Sequence, residues 1–291
     1  MPETVTRSSQ LLDKVVATIG ELPTSPGVVS TVMGLTADLN TEINKLSRVL
    51  SGDAALTAKV LRLSNSPFYG RARSVGSLNE AILILGFYTI RSLVVASSTY
   101  SIFRSKTKDA ATKVMWEHSL ATAMAARIIG KRIRHRHVEE AFIVGLLHDI
   151  GKLILHQKMH DSYKEIIKKV QLDRRNFITV EQEQLGFSHC DLGSVILTRW
   201  NFPSLLTEAV AQHHTPEEAS PPEDRSVALP HIIYFANEMA KKMNYGFIKD
   251  YEVDLASLPQ ARILDLDTEA IASVQVELET HYQEEKPLFE E

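Results

Sequence analysis

The sequence has one cysteine, nearly balanced charge and no long apolar run, and each shortage excludes a class of protein. Cys190 alone cannot form an intrachain disulfide, which excludes a disulfide-stabilised secreted domain. A net charge of −4 over 291 residues provides no field that would gather nucleic-acid phosphates. The longest apolar runs, 81–87 and 141–147, are far shorter than the ~20 residues of a transmembrane helix. Residues 1–10 are polar and unlike a secretory signal, so we expect a cytoplasmic protein with no nucleic-acid or membrane partner.

Helical periodicity is present along nearly the whole chain. Apolar residues recur every three or four positions, and the alternating segments typical of strands are scarce. We predict an all-α fold with an N-terminal helical lobe at 1–109 and a second domain at 110–291, which carries the site and ends in a C-terminal helix. The boundary is placed at the polar stretch 106–109, beyond which the helical pattern restarts. Asp53 is predicted to cap a helix, and Gly86 to kink or end another.

One predicted helix, at 138–153, carries several residues that could bind a metal ion or a substrate. Gly145, His148, Asp149 and Lys152 recur at intervals of three and four, so they are expected to share one helical face. The small residues on this face are expected to leave room for a ligand. Because a buried charge must be paired or coordinated, the face suits a cation, with Lys152 contacting a phosphate.

Further polar side chains sit where helical spacing turns them toward the interior. They are His118, His189, His213, His214 and Asn237. Imidazoles with a carboxylate suit one or two divalent transition metals, namely iron, manganese, zinc or nickel. The lack of several thiolates argues against a closed structural zinc site.

Other polar residues are predicted to lie outside this site. A single histidine is more often a hydrogen-bonded structural residue, and His156 and His160 lack the small-residue setting of the others. Cys190 follows His189 but is expected to point to another helical face. We therefore predict that its thiol is buried filler and not a nucleophile.

The order of His118 and the pair His148-Asp149, within the string LLHDIGK, resembles the HD superfamily of metal-dependent phosphohydrolases. The additional His189 and the pair 213–214 resemble the extended ligand set of HD-GYP phosphodiesterases, which hold two or more metals and cleave cyclic di-GMP. Two departures stand out. Asn237, in HIIYFANEMA, takes the place of the superfamily's closing aspartate, and HHTPEEASPP replaces the RxxDGxGYP segment.

Most of the chain is similar to the HDOD group, the HD-related output domains of bacterial signalling proteins. The resemblance rests on LPTSPGVV, DAALTAKVLRLSNSPFYG at 53–70, SLNEAILILG at 77–86, and an E, G, H, G, W, P, HH, P pattern from Glu183 to Pro216. It implies that an N-terminal helical lobe packs on an HD-like lobe. It also implies a regulatory output or adaptor role, with inputs from other proteins or a small ligand.

Three functional hypotheses follow. The first is a bacterial signalling or regulatory protein with a degenerate HD site, with or without bound metal and without strong catalysis, whose partners are signalling proteins or a small phosphate-containing ligand. The second is a metal-dependent phosphohydrolase acting on a nucleotide or cyclic dinucleotide, in which Asp149 bridges two ions. The third is an interaction scaffold with internally hydrogen-bonded histidines, in which Asn65, Ser66, Phe68 and Tyr69 form a partner or interlobe surface.

Overall fold

A computed structural model describes the chain at 11–17, 26–38, 40–66, 69, 75–104, 109–218, 228–249 and 251–290. Within these ranges the regular structure is helical and no strand occurs, which confirms the all-α prediction. The helices before residue 105 are α1 at 11–17, α2 Pro26–Ala37, α3 Ile43–Ser51, α4 Ala54–Ser64 and α5 Leu78–Arg104. The later helices are α6 Ala110–Arg132, α7 Val138–Leu147, α8 Ile150–Lys158, α9 His160–Asp173, α10 Phe177–Leu185, α11 His189–Arg199, α12 Ser204–Ala211, α13 Leu229–Lys242, α14 Pro259–Ile263 and α15 Thr268–Glu290.

Short polar side chains start several of these helices. Asp53 accepts a hydrogen bond from the Leu56 amide at 3.0 Å, which confirms it as the cap of α4. Ser188 and Asp191 form a reciprocal capping box at the start of α11. The box fixes where α11 begins, and His189 is its first residue.

Helix α5 is the longest apolar element. Gly86 interrupts it with a φ of 82° and a ψ of 162°, which confirms the predicted kink and requires a residue without a Cβ. Among the described residues, Leu78–Phe103 alone has the length and composition of a membrane-crossing helix. Of its most apolar window 61% is buried inside the fold, as in a core helix.

The prediction of one continuous helix at 138–153 is wrong. The chain forms α7 and α8 instead, and Asp149 between them leaves helical geometry with a φ of −101° and a ψ of 13°. Apolar periodicity runs through both helices because both are buried, so the sequence pattern conceals the break. The break turns His148 and Asp149 toward the same interior space.

The small residues near this break do not leave room for a ligand, so that prediction is also wrong. A Cβ built on Gly145 would lie 2.7 Å from the Ala123 Cα, and one built on Gly151 would lie 2.1 Å from the His189 carbonyl oxygen. Each glycine therefore lets two backbones approach closely: α7 against α6, and α8 against α11. These approaches bring together the helices that carry the site.

The two halves of the chain share one hydrophobic core. A buried ion pair joins them: Arg91 Nη2 of α5 lies 2.6 Å from Glu140 Oε1 of α7. Within the second half, Arg127 Nη2 of α6 lies 2.6 Å from Glu139 Oε1. The C-terminal helix α15 also packs on α4 and α5. Residues 105–108 lie outside the described ranges, and the division into domains at 109 and 110 remains a prediction.

The segment considered for a partner or interlobe surface is largely buried. Ser66 and Tyr69 are buried, and the Arg127 guanidinium lies 4.2 Å from the centre of the Tyr69 ring. Asn65 is exposed, but its side chain bonds the backbone of Val75. Phe68 lies outside the described residues. The described part of this segment therefore supports the packing between the halves.

We predict that Gly145→Ala destabilises the protein by about 1–3 kcal/mol, because the added methyl group meets the backbone of α6. Urea unfolding followed by circular dichroism measures the change. Gly34→Ala in α2 is the matched control, because a Cβ built on Gly34 has no atom within 4 Å. Alanine in place of glycine inside a helix should stabilise the protein by up to about 1 kcal/mol. Equal unfolding midpoints for the two variants would refute the close approach of α6 and α7.

Candidate metal centre

All seven predicted metal-site residues converge on one region. His118 comes from α6, His189 from α11 and Asn237 from α13. His148 and Asp149 lie between α7 and α8, and the pair 213–214 follows α12. Because the seven come from distant parts of the chain, the fold and not the local sequence assembles the site.

His118, His148 and one oxygen of Asp149 form the first group. The two Nε2 atoms lie 3.3 Å apart. Asp149 Oδ2 lies 3.6 Å from His118 Nε2 and 3.4 Å from His148 Nε2. All three side chains are at most 9% exposed.

The other oxygen of Asp149 faces a second group of histidines. Asp149 Oδ1 lies 3.3 Å from His189 Nε2 and 3.7 Å from His213 Nε2. The His214 ring centre lies 4.2 Å from that of His213. Asp149 therefore lies between two groups of imidazoles and presents one oxygen to each.

Hydrogen bonds fix the orientation of the imidazoles. Three of them donate their Nδ1–H to a backbone carbonyl at 2.7 Å: His118 to Tyr245, His148 to Gly145 and His213 to Val210. A carbonyl oxygen only accepts, so the proton of the neutral ring lies on Nδ1. The Nε2 lone pair of each ring then faces the site, as in metal-ligating histidines.

His189 is held by Glu181, a residue that is not among those predicted for the site. Glu181 is fully buried, lies 2.6 Å from His189 Nδ1 and accepts a hydrogen bond from Tyr163 at 2.5 Å. Glu183, the first residue of the pattern shared with the HDOD group, is exposed and pairs with Arg175. The sequence does contain a signal for Glu181. It lies four positions after Phe177 and four before Leu185, which places an acidic side chain on an apolar helical face.

Burial sets the protonation of the first group. It lowers the pKa of His118 to about 3 and also lowers the pKa of His148. Burial alone would raise the pKa of Asp149, but His148 and Lys152 outweigh it and hold that pKa well below its ordinary value. Neutral imidazoles and an ionised carboxylate are the states that bind a cation.

In the second group, neighbouring charges shift the pKa values of His189 and Cys190 in the direction opposite to burial. Burial alone would lower the pKa of His189, but Cys190 and Glu181 outweigh it and raise that pKa to about 10. Burial alone would raise the pKa of Cys190, but His189 and His213 lower it to about 6. The pKa of His214 is well below its ordinary value because of burial and the neighbouring His213.

Cys190 adjoins the site, contrary to the sequence prediction. Its Sγ lies 3.5 Å from His189 Nε2 and 3.8 Å from His213 Nδ1, and the residue is 4% exposed. The site reaches around the first turn of α11, so the first two residues of that helix both border it. By contrast, His156 and His160 form a separate group with Asp109, as expected for residues outside the site.

Lys152 contacts the site through Asp149. Its Nζ donates to Asp149 Oδ2 at 2.8 Å and lies 4.4 Å from the centre of the Phe177 ring. The ammonium group therefore neutralises the carboxylate on the side facing the first group.

A cavity of about 210 Å³ opens onto the site. His118, Asp149, His214 and Asn237 form part of its wall. Four basic residues, Lys152, Arg174, Arg175 and Lys241, also line it, and Asp149 is the only acidic residue among the described lining residues. Apolar walls with several cations suit an anionic ligand that has an apolar part.

The donor set fits divalent metal ions. Metal–nitrogen distances of 2.0–2.1 Å place tetrahedral ligands about 3.3–3.4 Å apart, close to the 3.3 Å between the Nε2 atoms of His118 and His148. Asp149 Oδ1 and His213 Nε2 are buried without a hydrogen-bond partner among the described residues. Buried polar atoms of this kind need a partner, and a cation would supply one.

Comparison with known proteins identifies a family. A sequence model of the HDOD domain matches residues 22–216. The structure of an HDOD domain protein of unknown function from Geobacter sulfurreducens has a TM-score of 0.80 and 25% identity over 98% of both chains.

Two further solved structures share the fold. A Shewanella amazonensis SB2B protein, provisionally named a phosphohydrolase, has a TM-score of 0.73 and 23% identity over 96% of both chains. A Marinobacter aquaeolei VT8 protein, provisionally named a signal transduction protein, has a TM-score of 0.74 and 19% identity over 98% of this chain and 65% of that one.

An uncharacterized protein of Treponema pallidum (strain Nichols) is 22% identical over 230 residues. The match covers 75% of this chain and 43% of that protein. This chain therefore spans less than half the length of that curated relative.

We predict that Glu181→Ala destabilises the protein by about 3–5 kcal/mol, because it leaves His189 buried without its charge partner. Glu183→Ala, two residues away but exposed, is the control and should leave the urea midpoint unchanged. Comparable losses of stability in both variants would show that Glu181 does not hold His189.

Proposed function

The chain belongs to the HDOD domain family, and we propose that it is a bacterial regulatory protein whose HD-type site binds divalent transition metal with little catalytic turnover. Support comes first from the donor set: five imidazoles and Asp149 face one buried region. His118, His148 and Asp149 would hold one ion, and His189, His213 and His214 a second, with Asp149 between them.

The observation that carries the proposal is the amide of Asn237. This residue lines the cavity beside His118, Asp149 and His214, and its Oδ1 is buried without a hydrogen-bond partner among the described residues. A carbonyl oxygen is a weaker ligand for a dication than a carboxylate, particularly where water is scarce. Asn237 therefore favours weaker metal binding than an aspartate would give.

Lys152 weakens metal binding further. Its ammonium occupies the oxygen of Asp149 that faces His118 and His148. A metal ion in the first group would share that oxygen with a positive charge, which repels it. The site is thus suited to reversible metal or ligand binding, as a regulatory protein requires.

The ligand that we propose for the cavity is a small phosphate-containing molecule. Lys152, Arg174, Arg175 and Lys241 border the cavity, whereas Phe177 provides an apolar face. Guanidinium groups match phosphate oxygens in geometry and charge. Ligand binding here would be transmitted to signalling proteins through the helices that meet at the site.

The alternative is a metal-dependent phosphohydrolase acting on a nucleotide or cyclic dinucleotide. It is favoured by the position of Lys152, which contacts Asp149 and also lines the cavity, so a bound phosphate would lie beside the metal ligands. Bound metal would supply Lewis-acid activation and a nucleophilic hydroxide. Lys152 would then neutralise phosphate charge, and Arg174 would orient the substrate.

We predict that protein purified without added metal retains transition metal when assayed by elemental analysis. His148→Ala, which removes one imidazole from the first group, should lower that content. Less than about a tenth of an equivalent in the wild type, and no uptake on addition of zinc or manganese, would favour the interaction scaffold.

We predict that Asn237→Asp binds metal more tightly, because a charged oxygen replaces a neutral one beside the site. Competition with a chromophoric chelator measures the affinity. Asn201→Asp adds the same charge at an exposed position away from the cavity and should leave the affinity unchanged. Equal affinities for the wild type and Asn237→Asp would show that Asn237 does not face the metal.

Turnover separates the two functions. We expect negligible hydrolysis of cyclic dinucleotides, nucleotides and a generic phosphodiester by metal-loaded wild-type protein, and measurable hydrolysis by Asn237→Asp. Robust wild-type hydrolysis that is lost in His148→Ala would overturn the regulatory proposal and establish the phosphohydrolase.

A further inference from the structure

We propose that the Cys190 thiolate is itself a metal ligand, so that the second group of the centre binds its ion through sulfur as well as through His189 and His213. This inference rests on the proposed function only in requiring that the centre binds a divalent metal. It assigns to Cys190 a role that neither its place in the sequence nor the pattern of histidines indicates.

The separation of Cys190 from His189 is that of two ligands in one coordination shell. Metal–sulfur and metal–nitrogen distances of about 2.3 and 2.0–2.1 Å place tetrahedral S and N ligands about 3.6 Å apart. Cys190 Sγ lies 3.5 Å from His189 Nε2. For nitrogen and carboxylate oxygen the corresponding separation is about 3.4 Å, and His189 Nε2 lies 3.3 Å from Asp149 Oδ1. Each of these two pairs therefore has the separation expected of two ligands of one ion.

A second observation points to a ligand at the same place. His213 Nε2 and Asp149 Oδ1 are buried, and neither has a hydrogen-bond partner among the described residues. They lie 3.7 Å apart. The ligand atoms of His189, Cys190, His213 and His214 also lie within 4.8 Å of one another. An ion here would satisfy the unpartnered atoms together with the thiolate.

A hydrogen bond from the thiol accounts for the contact of Cys190 with His189 but not for its contact with His213. The thiol has one proton, so it donates to at most one imidazole. His213 Nδ1 already donates to the Val210 carbonyl oxygen at 2.7 Å and is not available as an acceptor. A structural filler would pack against aliphatic groups, whereas Cys190 contacts two imidazoles.

The sulfur ligand makes the two groups of the centre chemically different. The first group offers only nitrogen and oxygen from His118, His148 and Asp149. The second adds a soft thiolate, which favours zinc, cobalt or iron over manganese and magnesium. The inference therefore predicts that the second group selects the softer ion when both metals are supplied.

Cobalt(II) spectroscopy of the full chain tests this assignment. Tetrahedral Co²⁺ gives visible ligand-field bands, and a thiolate ligand adds a near-ultraviolet sulfur-to-cobalt charge-transfer band. Because Cys190 is the only cysteine in the chain, such a band can arise from no other residue. We expect both features in the wild type, loss of the near-ultraviolet band in Cys190→Ser, and its retention in Thr198→Ala, a change at an exposed residue of the same helix.

The outcomes distinguish this inference from the proposed function. Ligand-field bands without the charge-transfer band in the wild type would overturn the role of Cys190 and leave the metal centre intact. No cobalt bands and no cobalt uptake would overturn the metal centre and this inference together. The wild-type spectrum decides between these results even if Cys190→Ser fails to fold.

Discussion

The buried negative charge of Asp149 is the constraint on which the site depends. The residue is 3% exposed, and an unpaired charge at such a position would cost several kcal/mol. Lys152 and imidazoles from several helices surround it instead. The break in the helix between α7 and α8 places the carboxylate where Lys152 and these imidazoles meet. Gly145 and Gly151 let the helices that carry the imidazoles approach closely enough.

The same carboxylate connects the fold to the proposed function. Asp149 is compatible with two kinds of positive partner, the ammonium of Lys152 and a divalent ion. A carboxylate in place of Asn237 would favour binding of the metal ion. The neutral amide instead favours the ion pair between Asp149 and Lys152. Under the proposed function, a site balanced in this way would respond to changes in metal or phosphate concentration, and a modest change in its ligands would separate regulation from hydrolysis. Two solved structures that share the fold are provisionally named, one for each role.

Much of this architecture is predictable from the sequence, and the exceptions have physical causes. The helices, the cap at Asp53 and the kink at Gly86 follow from local patterns, and they are as expected. The seven residues predicted for the site follow from the rule that polar groups on apolar helical faces need partners, and the structure brings them together. The break at Asp149 was missed because burial on both sides preserves the periodicity. Glu181 and Cys190 were missed because their roles depend on the crossing of α8, α10 and α11, which no local spacing encodes.

Anomalous X-ray diffraction from crystals grown with zinc tests the central claim most directly. The account predicts a peak about 2.0–2.2 Å from an oxygen of Asp149 and from imidazole Nε2 atoms of at least two helices. An Asp149 that bonds only Lys152 and neighbouring imidazoles at saturating zinc, with no anomalous peak near it, would contradict the account.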